Sequence, residues 1–149
     1  MIEKQFRRLD HRFGTHRPSE FGSQVCDGYR PDFILRNRRN QLAFIIEFES
    51  TPSRKTVLGD LTKAEKFSED ERRYATLAIV LRERSNTTAK QIAVHLKPYL
   101  GWLKKRRKKE AGLSTVLVIT DKGYKASVSR KEAFGSRKFL NRCLDVSKQ

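Results

Sequence analysis

Apolar residues along the chain fall into short dense runs separated by wider helical stripes. Residues 42–49 are apolar at nearly every position, the pattern of a strand covered on both faces. Residues 32–36 form a second strand-like run, and the polar stretch 37–40 between the two predicts a β-hairpin. Residues 74–81 and 113–120 are two further apolar strands. Between them, Val57, Leu58, Leu61, Ala64 and Ser68 share one face of a helix over 56–71. A longer helix is capped by Asn86 or Thr87, carries Ile92, Leu96, Tyr99, Leu100 and Leu103 on one stripe, bends at Pro98 and closes at Gly112.

The flanks are weaker. Ile2, Phe6, Leu9 and Phe13 recur at helical spacing before Gly14 and Pro18, and residues 25–29 suggest a short strand. Past the turn signal at 121–123, residues 125–129 suit a short edge strand, and a last helix fits 130–146. A hairpin feeding strand–helix–strand–helix–strand crossovers predicts a three-layer α/β domain, a mixed central sheet with helices on both faces. No repeat or flexible linker interrupts it, so residues 1–149 read as a single domain.

Composition narrows the function. Lys and Arg number 33 against 17 Asp and Glu, a net charge of +16 in 149 residues. Leu, Ile, Val and Phe make up about a quarter of the chain, enough for a packed core. Such a charge suits a polyphosphate partner, through steering and counterion release. No apolar stretch approaches the length of a membrane span. The first ten residues lack a secretory apolar region. The expectation is an intracellular protein, cytoplasmic or nucleoid-associated, with no membrane partner; the basic run 104–109 leaves nuclear targeting open. Cys26 and Cys143 are far apart and read as reduced thiols rather than zinc ligands. His11, His16 and His95 are scattered.

The informative chemistry is acidic. With Arg36 opposite Gln41, Asp32 lies opposite Ile45, diagonal to Glu47, on the face shared by Glu47 and Glu49. Three carboxylates on one patch repel unless a cation sits among them, and Mg²⁺ is the natural hard divalent ion for oxygen ligands. The plainer alternative is a turn aspartate beside the wet face of a strand. Phe44, Ile46 and Phe48, which demand burial on the other side, weigh against it.

Pro31-Asp32 followed by Glu47-Phe48-Glu49 resembles the PD-(D/E)xK nuclease superfamily, and the order of elements over roughly 20–120 is similar to its restriction-endonuclease-like core. The resemblance implies a Mg²⁺- or Mn²⁺-dependent DNA endonuclease. By it, Asp32, Glu47 and the backbone carbonyl of Phe48 are metal ligands, and Glu20 loosely matches an assisting upstream acid. Glu49 departs from the family pattern, which has lysine there. Glu49 would then be a further ligand or orient the attacking water, with Lys63 supplying the displaced ammonium. Lys63 shares with Asp60 and Thr56 a face away from the apolar stripe, so simple solvation is its plainer role.

For phosphate contacts the sequence offers Arg36, Arg38 and Arg39 around the hairpin, Lys55, and Lys104, Lys105, Arg106 and Arg107 at a helix end. Trp102 reads as a helix-packing residue rather than a base-stacking platform. Two other functions stay open at this level: a catalytically inactive nucleic-acid-binding domain on the same fold, and a basic structural or assembly protein of a nucleoprotein complex. A homodimer or partner nuclease subunit would be needed to cut both strands.

Overall fold

The computed structural model describes the backbone of His16–Ser19 and residues 31–149. The helix expected over 2–13, the strand expected over 25–29, Glu20, His11 and Cys26 lie outside the described residues. The strands are β1 (His16–Ser19), β2 (Phe33–Asn37), β3 (Leu42–Glu49), β4 (Tyr74–Leu81), β5 (Gly112–Thr120) and β6 (Leu144–Asp145). The helices are α1 (Arg54–Asp70), α2 (Ala89–Arg106), α3 (Asp121–Ser129) and α4 (Arg137–Leu140), and a 3₁₀ turn, Val146–Lys148, follows β6. The strands form one sheet in sequential order, β1 to β6. The β3–β4–β5 pairings are parallel, and those of β1–β2, β2–β3 and β5–β6 are antiparallel.

The expected layering holds. Side chains alternate across the sheet, so Ile34, Ile45, Leu77, Ile79 and Val118 pack against α1 and α2. Phe33, Leu35, Ile46, Val80 and Ile119 point the other way, toward Tyr124, Phe134 and Phe139. The protein is a three-layer α/β fold. Its core reaches Val146, well beyond residue 120. No described helix is long and apolar enough to cross a membrane.

Both long helices start on reciprocal caps. The Ser53 hydroxyl accepts from the Thr56 N–H while the Thr56 side chain accepts from the Ser53 N–H. Thr88 and Gln91 do the same for α2. α2 runs through Pro98 as one helix and ends at Arg106 rather than at Gly112.

Several expectations are corrected. Residues 16–19, with Pro18 inside them, form edge strand β1. Residues 125–129 are helix, not strand: Thr120 Oγ1 caps the N–H of Gly123 at 2.9 Å, and Tyr124 and Ser127 both turn inward. The long helix over 130–146 is broken by left-handed backbone at Lys131 (φ 59°) and Gly135 (φ 76°). What holds that segment is Glu132, buried, which accepts from Arg142 at 2.7 and 2.8 Å and from the Ser127 hydroxyl at 2.8 Å. These donors, Arg142 foremost, hold its carboxyl at about 2, below the usual carboxylate range. Trp102 does not pack inward; it is 54% exposed. Tyr99, expected on the apolar stripe, is also on the outside. Cys143 is a free thiol pushed up to about 12 by burial.

Candidate active site

The open end of the β2–β3 hairpin brings the acidic residues together. A register shift between Leu35 and Arg36 places Arg36 opposite Leu42, and Phe33 opposite Ile46. Continued one residue, this register sets Asp32 opposite Glu47 rather than opposite Ile45. The slip is two residues, so the shared face survives. The Asp32 carboxylate accepts the Phe48 N–H at 2.8 Å, and the Asp32 N–H reaches Glu47 Oε2 at 3.4 Å. A strand residue's N–H and C=O point to the same neighbour. The Phe48 carbonyl therefore faces the Asp32 side, while the Glu49 carbonyl accepts from Arg82 at 3.0 Å. Glu47 is buried, Glu49 half-buried and Asp32 exposed.

A fourth carboxylate joins them. Asp60, in the second turn of α1, hydrogen-bonds Glu49 and feels the charges of Glu49, Glu47 and Asp32. Burial first, then the bond and repulsion from Glu49, push its carboxyl up to about 9. Its Oδ2 is buried without a hydrogen-bond partner. Sequence spacing had set Asp60 on the solvated face with Lys63. The signal available was its i, i+3 and i, i+4 relation to Val57 and Ala64, both buried. Lys63, one turn beyond, is exposed, as is Lys55.

The donor set suits a hard divalent cation. Hard oxygens gather at one strand end, burial and then the neighbouring acids raise one carboxyl well above its ordinary range, and one buried oxygen lacks a partner. The ligand shell is not closed: no group of three or more His, Cys, Asp or Glu side chains among the described residues is arranged to hold a metal ion as it stands.

Replacing the proton-bearing acid by its amide tests this directly. Asp60→Asn should raise the thermal midpoint at pH 7 in EDTA by about 4 °C or more, since folding then no longer requires protonating a carboxyl. The sign follows from the raised value. The folded wild type holds a proton that the unfolded chain has lost above its ordinary value of 3.8. Wild-type stability therefore declines as pH climbs from there toward 9, and the amide removes the decline. Mg²⁺ should lift the midpoint of the wild type more than that of Asp60→Asn, as read by scanning calorimetry.

Cations border the cluster where sequence did not point to them. A cleft of about 330 Å³ runs from Phe48, Glu49 and Ser50 past Arg82 and Asp121 to Lys125. It lies outside the carboxyl ends of the parallel strands, the usual ligand position in open α/β sheets. Arg82 lies 4.0 Å from Asp121.

The expected phosphate-binding residues do not converge on this place. Arg38 and Arg39 occupy the closed end of the hairpin, about 20 Å along the strands from Asp32. Arg36, nearby, is held by Glu71 through bonds of 3.1 and 2.8 Å. Arg107 turns inward onto buried Glu65. Lys104 donates to the Ser114 carbonyl, and Arg106 lies over the Trp102 ring at 4.6 Å. Comparison with protein-family models and with curated proteins gave no match, so the likeness to the PD-(D/E)xK superfamily rests on the chain's own residues.

Proposed function

We propose that this protein is a Mg²⁺- or Mn²⁺-dependent nuclease that hydrolyses phosphodiester bonds of DNA at the Asp32–Glu47–Glu49–Asp60 cluster. One observation carries the reading. A chain of net charge +16 gathers four acids at the end of a buried sheet rather than dispersing them, and leaves a buried oxygen of one, Asp60, without a hydrogen-bond partner. Asp32, Glu47, Glu49, Asp60 and the Phe48 carbonyl would hold the cation. When bound, a divalent ion lowers the pKa of a water and polarises a phosphoryl oxygen.

The remaining work falls to the chain. Phe48 N–H orients Asp32 toward the cluster. Glu47, buried, stays fixed by its strand. With a cation bound, Asp60 would serve as a carboxylate ligand, and Glu49, its hydrogen-bond partner, would orient the attacking water. Arg82 and Lys125, across the cleft from Glu49, bind phosphate and offset the negative charge that develops on it.

A second reading is a nucleic-acid-binding domain without catalysis. Glu49 in place of the family's lysine, and the open ligand shell, favour it. One assay separates the two: incubation with plasmid, linear duplex and branched DNA in Mg²⁺, Mn²⁺ or EDTA. Metal-dependent cleavage supports the nuclease. Tight, salt-sensitive binding with no cleavage in either metal supports the second reading. Weak, salt-insensitive binding removes nucleic acid as the partner, because phosphate contacts release counterions. Cutting of both strands would call for a second copy or a partner nuclease.

A further inference from the structure

The outward face of α2 is unlike the rest of the described surface. Val94 is 50% exposed, Tyr99 40% and Trp102 54%; Val94 and Trp102 lie away from the buried residues Ile92, Ala93, Leu96 and Leu100, and Tyr99 sits on the flank of that stripe, one turn from both His95 and Trp102. The His95 ring lies against Tyr99, tilted by 59°, with ring centroids 5.4 Å apart. Arg106 covers one side of the Trp102 ring. The helix carries Lys90, Lys97, Lys104, Lys105 and Arg106 and no Asp or Glu. Lys90 and Lys97 hydrogen-bond Gln149, so the cations beside the rings are Lys105 and Arg106.

An exposed aromatic row on a helix usually marks a partner. Charge decides which partner. A second copy docking through the same face would bring an equally acid-free basic helix against this one, with nothing to offset the repulsion. A nucleic-acid strand offers both complements, phosphates for the cations and base faces for the rings. A duplex buries its base faces, so the rings favour unpaired bases.

The placement connects to the candidate active site. The first turn of α2 follows the carboxyl end of β4, at the same sheet edge as Glu47 and Glu49. There a groove of about 360 Å³ lies between Arg54, at the start of α1, and Lys90, Gln91, Val94 and His95 of α2. From Lys90 to Trp102 the helix advances about 18 Å. The row thus leads from the far edge of the sheet toward the cluster.

We propose that the outward face of α2, with Trp102 and Tyr99 as stacking rings, binds a nucleic-acid strand with unpaired bases and guides it toward the carboxylate site. The inference rests on the nuclease reading for what happens at the end of that path. It makes a single-stranded or branched DNA, rather than an intact duplex, the preferred substrate.

Trp102 is the sole tryptophan, so its emission reports this face alone. The full chain is titrated in EDTA with oligo(dT) and with a blunt duplex of equal length. Stacking predicts quenching by the single strand that weakens with salt, and little quenching by the duplex. By anisotropy of labelled oligo(dT), Trp102→Ala and Tyr99→Ala should each weaken binding about 10- to 100-fold, and Trp102→Phe should recover most of it. Far-ultraviolet circular dichroism checks that each variant folds.

Equal quenching by duplex overturns the proposal. So does unchanged oligo(dT) affinity in folded Trp102→Ala. So does a concentration-dependent dimer that Trp102→Ala abolishes, which would make the face a contact between copies. In these cases metal-dependent cleavage by the wild type would still stand. Loss of that cleavage, with stacking intact, would instead remove the nuclease reading and leave the platform.

Discussion

Asp32→Asn and Glu47→Gln should each slow Mg²⁺-dependent plasmid cleavage by about 10³-fold, close to 4 kcal/mol of lost transition-state stabilisation. Both substitutions keep shape. An amide at 32 still accepts the Phe48 N–H through its oxygen, and Gln fills the space of buried Glu47. Each also removes one of the charges that Asp60 feels. Thermal stability in EDTA should therefore rise while activity collapses. That opposition is the mark of a site kept at a cost to the fold, and a merely structural carboxylate would lose both together. Scanning calorimetry and a nicking time course on the same samples read the two effects. Cleavage within a few-fold of wild type in either variant would exclude these carboxylates from the chemistry.

Much of this site was legible from period alone. Strands β3 and β4 were readable to the residue, because dense apolar runs bounded by polar turns leave little room for slippage. The shared face of Asp32, Glu47 and Glu49 was readable for the same reason. A two-residue slip preserves alternation, so one residue at the turn and one at the bulge beyond Leu35 together moved Asp32 along the strand without turning it over. Asp60 was not legible in this way. Its i, i+3 and i, i+4 relation to Val57 and Ala64 pointed to burial, but which acids it meets depends on how α1 lies across the sheet, which helical periodicity does not contain. The placement of the basic residues was not legible for a related reason. A run of cations in sequence says nothing about which of them meet acids distant in the chain, as Arg36 meets Glu71 and Arg107 meets Glu65. Trp102 was misread because an aromatic at helical spacing resembles core until its helix is docked. The segment beyond residue 129 was lost to backbone. Left-handed residues at 131 and 135 end what composition would extend as helix, and a buried ion pair takes over.

The largest stability loss should come from Glu65→Ala, about 3–5 kcal/mol by urea denaturation. Glu65 is buried in α1, and its two oxygens accept from Arg107 at 2.6 and 2.8 Å and from the Leu113 N–H at 2.7 Å. Arg107 also donates to the Leu113 carbonyl at 2.6 Å. One carboxylate thus ties α1, the end of α2 and the start of β5 together. Removing it leaves a guanidinium whose side chain is only 11% exposed and an amide without its acceptor. Total stabilities of small domains are about 5–15 kcal/mol, so the variant would be marginal. Arg107→Ala should cost a comparable amount, and the double variant should cost less than the sum, because the second substitution removes a charge already orphaned. Gly112 belongs to the same knot. Its φ is 121°, and a Cβ there would sit 2.4 Å from Glu65 Oε1 and 2.5 Å from Arg107 Nε, so Gly112→Ala should destabilise as well. Arg107 is therefore spent on the fold. In a folded Glu65→Leu/Arg107→Met variant, where apolar groups replace the pair, the salt dependence of DNA binding should match wild type. A slope reduced by about one would return Arg107 to the phosphate contacts.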